Sequence, residues 1–162
     1  MTTPEELLEL LGSLGIQTKT HHHAPVFTVE ESKRLRGDLP GGHCKSLFLR
    51  DKKRQLFLVV ALEHRKINLK ILARTLGAHK NLSFGSPALM MEALGVAPGA
   101  VTPFAVVNDT ERRVQVVLDR AMLDVNPLNY HPLENDRTTA IAPADLLRFL
   151  EASDHAPKLL DF

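Results

Sequence analysis

A single lysine is the first residue of this sequence whose position suggests chemistry. Lys45 lies in a segment that alternates like a β-strand, and in a strand residues 45, 47 and 49 share one face. Leu47 and Leu49 are apolar, so Lys45 is expected to project from the face that meets the core. A cationic amine there is costly to desolvate unless it meets an anion or a polar cavity. Two interpretations stay open: an amine that binds phosphate or stabilises an oxyanion, and a strand-edge lysine that reaches water.

The groups around Lys45 form no recognised nucleophilic or metal site. Cys44, the only cysteine, should face away from His43 and Lys45 by the same alternation, which favours packing over a reactive thiolate. The consecutive histidines at 21–23 cannot all converge on one ion in an extended chain, and no second His/Cys pair has zinc-finger spacing. There is no G-x-S-x-G, Walker or G-x-G-x-x-G motif, so we predict neither a metal nor a cofactor.

Two other segments are chemically distinctive. Residues 95–103, GVAPGAVTP, contain two glycines and two prolines that impose an unusual backbone path. Such a loop can present backbone N–H groups to a carbonyl or phosphate oxygen, although a helix C-cap followed by a turn would have the same composition. His131-Pro132, with Asn135 and Thr138 nearby, forms a polar cluster in an otherwise apolar region. A surface histidine with satisfied hydrogen bonds is the alternative there.

The elements that must position these residues follow from caps, breakers and apolar periodicity. Helices are predicted to begin at the caps Thr3, Thr28, Asn68 and Ser86 and at Pro143, and to end near Gly12, Gly37, Leu76, Leu94 and Glu151. Strands are predicted at His43–Arg50, Gln55–Leu62, Pro103–Val107 and Val114–Leu118, with one or two more within 129–141. Hairpins dominate and no βαβ repeat occurs, so we expect an α+β fold with a mixed or antiparallel curved sheet in one domain, 1–162.

Composition excludes several classes of protein. The chain of 162 residues has one cysteine and therefore no internal disulfide framework. No apolar run approaches the roughly 18 residues of a membrane helix, and the acidic N-terminus does not resemble a secretory signal, so we expect a soluble, cytoplasmic protein. The net charge of +1 divides into +6 for residues 1–81 and −5 for residues 82–162. This asymmetry is compatible with a phosphate-binding face or with ordinary solvated surfaces.

Several segments together resemble a known family, the YbaK/ProX deacylases, which are free-standing homologues of the prolyl-tRNA synthetase editing domain. The segments that carry the resemblance are Thr18–Glu31, Gly42–Leu49 with Lys45, Gly95–Phe104, Asn108-Asp109, and Asn126–Thr139 with His131-Pro132. The resemblance implies a compact domain around a curved, barrel-like mixed sheet flanked by helices, in agreement with the element order. It also implies hydrolysis of the ester that joins a wrong amino acid to the terminal adenosine of a tRNA.

Within the family, the sequence looks most similar to the branch that clears alanine from tRNA(Pro); the other branch clears cysteine. A mischarged tRNA acceptor end is therefore the implied partner, with prolyl-tRNA synthetase as a second one. Two alternatives belong to other classes: a non-catalytic tRNA-end binding or synthetase-associated module, and a small-molecule ester or amide hydrolase. Turnover separates the enzymes from the binding module.

The resemblance also implies roles for individual residues. Lys45 would engage the terminal adenosine or the scissile ester, and His131 would lie near the amino-acid pocket. The glycine- and proline-containing loop would wrap the aminoacyl end through Gly95, Pro98, Gly99, Val101 and Thr102. Val29, Ile67 and Asn108 fall where pocket walls are expected. From the charge clusters we place the acceptor stem against Lys33, Arg34, Arg36, Arg50, Lys52, Lys53 and Arg54.

Overall fold

A mixed β-sheet forms the centre of the computed structural model, which describes residues 1–25, 30 and 39–162. Within these residues eight strands share one sheet: β1 Lys19–His22, β2 Gly42–Arg50, β3 Leu56–Leu62, β4 Ser83–Phe84, β5 Val114–Asp119, β6 Leu128–Tyr130, β7 Arg137–Ile141 and β8 Lys158–Leu160. The α-helices described are α1 Pro4–Ser13, α2 Leu69–Leu76, α3 Pro87–Leu94 and α4 Pro143–Ala152. Two 3-10 helices span Pro103–Asn108 and Arg120–Asp124. The predicted α+β class and mixed sheet are confirmed.

The sheet order is β1-β7-β6-β2-β3-β5-β8, with β4 paired to β2 beside this path. The β2–β3 hairpin is antiparallel, as the sequence predicted, and it aligns Lys45 with Ala61. β5 and β8 then add in parallel to β3, while β1, β7 and β6 form antiparallel pairs. β2 therefore connects an antiparallel half of the sheet to a largely parallel half.

Hydrophobic residues on the two faces of β3 build two cores. Leu58 and Val60 belong to a larger core that also contains Phe104 and Phe149, whose rings pack edge to face with centroids 5.5 Å apart. Val59 belongs to a smaller core on the opposite face, which α2 covers. The central, covered position predicted for β3 from its apolar sequence is thus confirmed.

The helix signals read from the sequence hold at four of the predicted helices. Thr3 and Glu6 form a capping box for α1, Asn68 and Ser86 cap α2 and α3 through their side chains, and Pro143 opens α4. The helix predicted from Thr28 to Gly37 lies outside the described residues, apart from Glu30. None of the described helices is long and apolar enough to cross a membrane.

The strand predicted at Pro103–Val107 is wrong. This segment is a 3-10 helix in which Pro103 occupies the first turn and Thr102 accepts a hydrogen bond from the N–H of Phe104 at 3.3 Å. Proline suits a first helical turn because its missing N–H has no partner there, and a short apolar run has no periodicity that separates helix from strand. The strands expected within 129–141 are present as β6 and β7.

A buried polar network joins the end of this 3-10 helix to the segment after α4. The carboxylate of Asp109 accepts hydrogen bonds from the N–H groups of Arg113 at 3.0 Å and Val114 at 2.9 Å, and it lies 2.9 Å from Nε2 of His155. The side chains of Asp109 and His155 are buried, with 3% and 5% of their surface exposed. One carboxylate therefore satisfies two backbone donors, of which that of Val114 is buried, and one buried imidazole.

Replacing this carboxylate should destabilise the fold. Asp109→Ala leaves the half-buried N–H of Arg113, the buried N–H of Val114 and buried His155 without their acceptor, so we expect the free energy of unfolding to fall by roughly 2–5 kcal/mol in urea denaturation. Glu92→Ala is the control, because Glu92 pairs with Arg113 at an exposed site and should change stability by less than about 1 kcal/mol. Equal effects of the two substitutions on stability would contradict the role assigned to the Asp109 carboxylate.

Candidate functional site

A narrow cleft opens beside β2, and the reason is an interruption in the sheet. β2 pairs with β6 only at Gly42 and His43, and with β4 only at Leu49 and Arg50. No strand in the described part of the chain covers the intervening edge. Because backbone groups alternate sides along a strand, those of Ser46 point away from β3 and into this opening. The interruption thus exposes β2 main chain at the middle of the sheet.

The cleft has a volume of about 60 Å³ and brings together residues from five parts of the chain. It is lined by His43, Cys44, Ser46, Glu63, Val101, Asn129, Tyr130, His131 and Thr138. Two of the residues predicted to bind substrate, Val101 and His131, are among them. Asn129 and Tyr130 were missed because they meet β2 through its parallel pairing with β6, which is not local in sequence.

Lys45 lies next to this cleft without lining it. Its side chain is half-buried on the same face of β2 as Leu47 and Leu49, as the alternation predicted, and its Nζ donates to the backbone carbonyl of Arg65. The β2–β6 register aligns His43 with Asn129, so Lys45 lies two residues beyond the end of this ladder, on the strand that borders the cleft.

The segment around Arg65, whose carbonyl accepts the hydrogen bond from Lys45, is itself anchored. Arg65 Nε lies 3.0 Å from the carboxylate of Asp119, which is fully buried, and Arg65 also donates to the carbonyl of Phe162 at 3.4 Å. Ile67, predicted as a pocket wall, packs against the smaller core on this side of the sheet. Lys45 and Ile67 therefore lie on the side of the smaller core, whereas Val101 and His131 line the cleft.

Cys44 packs against the larger core, as the sequence predicted. Burial raises the pKa of its thiol to about 12, so the thiol is protonated at neutral pH. Its Sγ is directed towards the carbonyl of Gly42 at 3.8 Å. A protonated, buried sulfur is a poor nucleophile, and this environment does not support a thiolate mechanism.

The hydrogen bonding of His131 leaves its Nε2 as a hydrogen-bond acceptor. Its Nδ1 lies 2.9 Å from the carbonyl of Arg137, and because a carbonyl only accepts, we assign the proton to Nδ1. Burial lowers the pKa of the imidazole, and nearby His23 also lowers it. His23 is fixed in turn through Thr138 Oγ1, 2.8 Å from its Nε2. Neutral His131 thus keeps Nε2 free of a proton, and that atom can accept one from water or a hydroxyl group.

The loop at 95–103 has a mainly structural role, except at Val101, which reaches the cleft. Gly95 ends α3 with φ 67°, the C-cap alternative left open by the sequence. Gly99 has φ 91° in the exposed turn that follows Pro98, and Thr102 is buried as the cap of the 3-10 helix. A role of this loop in wrapping an aminoacyl end stays a prediction.

Asn108 is not brought to the cleft. Its Oδ1 accepts a hydrogen bond from the N–H of Thr2 at 3.1 Å, and its Nδ2 donates to the carbonyl of Leu94 at 3.0 Å. The side chain therefore fastens the N-terminus to the end of α3. The remaining predicted wall residue, Val29, lies outside the described residues, as do the predicted phosphate contacts Lys33, Arg34 and Arg36.

A second, open cleft of about 630 Å³ lies between the β2–β3 turn and the loop after α2. Its charged lining comprises Asp51, Lys53, Arg54, His79 and Lys80. Arg50 and Lys52, also predicted to contact tRNA, are exposed next to it. His79 and Lys80 were not predicted here because nothing local in the sequence relates residues 79–80 to the turn at 51–54.

Asp51 holds the two walls of this basic cleft together. Its buried carboxylate accepts hydrogen bonds from the N–H groups of Lys53 and Gln55 at 2.9 Å and of His79 at 3.0 Å. Burial would raise the pKa of this carboxyl, but the three backbone donors outweigh it and lower the pKa below its usual value. Asp51 is therefore ionised at neutral pH and positions the cationic side chains without occupying the opening.

The environment of Cys44 makes a chemical prediction. At pH 8 we expect iodoacetamide to modify Cys44 in the native protein at least about 100-fold more slowly than a free cysteine, because so little thiolate is present. Mass spectrometry of timed samples measures the rate. The same protein unfolded in urea is the control and should react at the rate of a free cysteine, whereas rapid labelling of the native protein would contradict the burial described above.

Comparison with known proteins finds relatives whose names refer to prolyl-tRNA editing or to prolyl-tRNA synthetase. The chain is 45% identical over 160 residues to the "Prolyl-tRNA synthetase associated domain-containing protein 1" of Danio rerio, covering 98% of this chain and 86% of that protein. It is 34% identical over 162 residues to the "Prolyl-tRNA editing protein ProX" of Acetoanaerobium sticklandii, covering 99% and 98%. A crystal structure of a proposed trans-editing enzyme for prolyl tRNA synthetase superposes with a TM-score of 0.74 at 19% identity, covering 99% of this chain and 97% of that one, which establishes a shared fold.

The family model supplies the last comparison. The model of the aminoacyl-tRNA editing domain matches residues 23–149, a range that includes β2, the 95–103 loop and the strands that form the cleft. The resemblance drawn from the sequence is thereby confirmed. This chain belongs to the aminoacyl-tRNA editing domain family, in the group of free-standing YbaK/ProX proteins.

Proposed function

We propose that this protein is a trans-editing hydrolase that cleaves the ester of mischarged tRNA(Pro), with Ala-tRNA(Pro) as its main substrate. The observation that carries the proposal is the small cleft with a neutral, half-buried His131, placed beside Lys45 in a chain of the editing family. Such a protein works in the cytoplasm, where the charged tRNA is, and prolyl-tRNA synthetase is its natural partner.

The chemistry requires no covalent nucleophile, because an aminoacyl ester is already activated. Hydrolysis needs a positioned water, a polarised carbonyl and a stabilised oxyanion. In the proposed reaction His131 Nε2 accepts a hydrogen bond from the attacking water, and the vicinal ribose hydroxyl of the substrate orients it. Water adds to the ester carbonyl, the C–O bond to the ribose breaks, and the ribose oxygen leaves with a proton. The protonated thiol of Cys44 has no part in these steps.

Two groups are available to stabilise negative charge. Lys45 carries a cationic amine on the strand that borders the cleft, and its present partner is a neutral carbonyl that a phosphate or an oxyanion can replace. Ser46 contributes a backbone N–H on the open edge of the same strand. One strand thus supplies both donors at fixed spacing, which is the pre-organisation that electrostatic catalysis needs.

Size supports alanine as the amino acid removed. A narrow cleft of about 60 Å³ favours a small side chain such as the methyl group of alanine over the larger ring of proline. Excluding the larger, correct amino acid is a steric task, whereas attraction between a pocket and one methylene supplies only about 1–3 kcal/mol. Cysteine differs from alanine by one thiol and is the alternative substrate.

Substitution of Lys45 tests the proposed reaction. We expect Lys45→Ala to lower the single-turnover deacylation rate on Ala-tRNA(Pro) by roughly 100-fold or more, because it removes the cation nearest the reacting ester. Wild-type protein assayed on Ala-, Cys-, Ser- and Pro-charged tRNA(Pro) should hydrolyse the alanyl ester fastest and leave the prolyl ester intact. Ala-tRNA(Ala) serves as the control for tRNA identity.

Two variants control this experiment. Lys70→Ala removes an exposed lysine of α2, and Cys44→Ser replaces the buried thiol; both should retain activity. A wild-type rate for Lys45→Ala would show that the role assigned to this lysine is wrong. Binding of charged tRNA without release of amino acid by the wild-type protein would instead favour the alternative of a tRNA-end binding module.

The basic cleft makes a prediction about salt. We expect Lys53→Glu with Arg54→Glu to raise the KM for tRNA and to flatten the dependence of log(kcat/KM) on log salt by about 0.9 for each lost phosphate contact. Lys158→Glu is the matched control, because Lys158 is an exposed cation on β8 in the acidic half of the chain. Activity of the wild-type protein that does not change between low and moderate salt would contradict a phosphate contact at this cleft.

A further inference from the structure

A row of residues crosses the sheet from Lys45 to the buried carboxylate of Asp119. Lys45 pairs with Ala61 in the β2–β3 hairpin, and the parallel β3–β5 ladder ends at Val60 and Leu118. Ala61 and Asp119 are the next residues of those two strands and therefore continue the row. Paired residues of neighbouring strands point to the same face of a sheet, so Lys45 and Asp119 share one face. They lie two strands or about 10 Å apart, with only the methyl group of Ala61 between them.

The carboxylate of Asp119 is neutralised by one residue. Arg65 Nε lies 3.0 Å from Oδ2 of Asp119, whose side chain is fully buried, and the other carboxylate oxygen accepts a hydrogen bond from the N–H of Ala121 at 3.2 Å. Within the described part of the chain, Arg65 is the only residue that forms an ion pair with Asp119. A buried carboxylate without a cation is strongly unfavourable, so removal of the guanidinium would draw another cation to this position.

The backbone of the same arginine contacts Lys45. The carbonyl of Arg65 accepts the hydrogen bond from Lys45 Nζ, while its guanidinium pairs with Asp119. A hydrogen bond between an ammonium group and a neutral carbonyl is weaker than one to a carboxylate, so the amine can leave this partner for a phosphate or an oxyanion. An amine paired with a buried carboxylate could not leave as readily, because it would abandon an unpaired charge.

We propose that Arg65 is a positioning residue that keeps the amine of Lys45 available to the substrate by neutralising Asp119. This inference rests on the proposed function, in which Lys45 is the cation nearest the reacting ester. Without the guanidinium, Asp119 would be an unpaired buried carboxylate in the same row as Lys45. A lysine side chain is long enough to reach across Ala61, and the amine would be withdrawn from the ester. Asp119 is thus a competitor for Lys45 that Arg65 keeps satisfied.

Substitutions of both members of the ion pair test this inference. Arg65→Ala should lower the single-turnover deacylation rate on Ala-tRNA(Pro) at saturating protein by roughly tenfold or more, because Lys45 must first leave a buried carboxylate. Asp119→Asn removes the competing charge, so the double variant Arg65→Ala with Asp119→Asn should react within about threefold of Asp119→Asn alone. In a Lys45→Ala protein, Arg65→Ala should change the residual rate by less than about twofold, since no amine is left to be captured.

Arg120→Ala is the matched control for these variants. Arg120 pairs with exposed Asp161 at 3.3 Å and donates to the carbonyl of Leu159 at 3.3 Å. It thus fastens the C-terminal segment, as Arg65 does through the carbonyl of Phe162, and its removal should leave the rate unchanged. Arg65→Gln replaces Arg65→Ala if the latter does not fold, because glutamine can still donate to the carboxylate but leaves its charge unpaired. Urea denaturation of each variant verifies that the rates compare folded proteins.

Chemical labelling separates this inference from the proposed function. Mass spectrometry measures how fast acetic anhydride acetylates Lys45, with exposed Lys70 as the internal standard. Arg65→Ala should slow the labelling of Lys45 relative to Lys70 several-fold, and added Asp119→Asn should restore it. Unchanged labelling, a rate not restored by Asp119→Asn, or an equal loss in the Lys45→Ala protein overturns the inference. Absence of deacylation by the wild-type protein would remove the proposed function, and the labelling rates alone would then decide the inference.

Discussion

The cleft depends on the short length of the pairing between β2 and β6. Their parallel ladder covers only Gly42 and His43, after which β2 continues along β3 while β6 turns away into the His131 segment. Parallel pairing brings together residues that are far apart in sequence, so Asn129 and His131 meet Cys44 and Ser46 only at this point. Had the ladder continued, the edge of β2 would be satisfied by backbone and no cleft would exist. The interrupted ladder therefore creates the opening and selects the side chains that line it.

Burial then determines the protonation of those side chains. Desolvation opposes the charged form of every ionisable group, so the same cleft raises the pKa of Cys44 and Tyr130 and lowers that of His131. The outcome is a site with a neutral imidazole acceptor and no thiolate. Such a site suits attack by water on an activated ester better than covalent catalysis. Lys45 is only half-buried, and its amine donates to a backbone carbonyl.

The sequence predicted the features that depend on residues close together in the chain. Strand alternation placed Lys45 with Leu47 and assigned Cys44 to the opposite, packed face, and the helix caps at Thr3 and Asn68 held. It failed where local patterns are ambiguous. The apolar run after Pro103 satisfies strand and 3-10 helix equally, and only its burial in the larger core decides between them.

The site was predictable only in part, for a related reason. His131 and Val101 were identified through the family resemblance, whereas Asn129 requires the β2–β6 register and Glu63 lies opposite His43 at the end of the β2–β3 hairpin. One local signal was available for Asn129: it is a polar residue inside the apolar strand Leu128–Tyr130, where a buried side chain needs a partner. Asn108 is the opposite case. The family resemblance predicted it as a pocket wall, but in the structure its side chain fastens the N-terminus.

The same strand also relates the small cleft to the basic one. Ser46 lies at the opening, and Arg50 ends β2 four residues later, about 13 Å away at the usual strand rise, immediately before the turn that carries Lys53. A tRNA end bound at the cleft would run as a single strand for a few nucleotides before its duplex begins. A separation of this order therefore allows the terminal ester to occupy the cleft while phosphates of the stem meet the cationic turn. Asp51 links that turn to His79 and thereby fixes the two walls of the basic cleft at the end of β2.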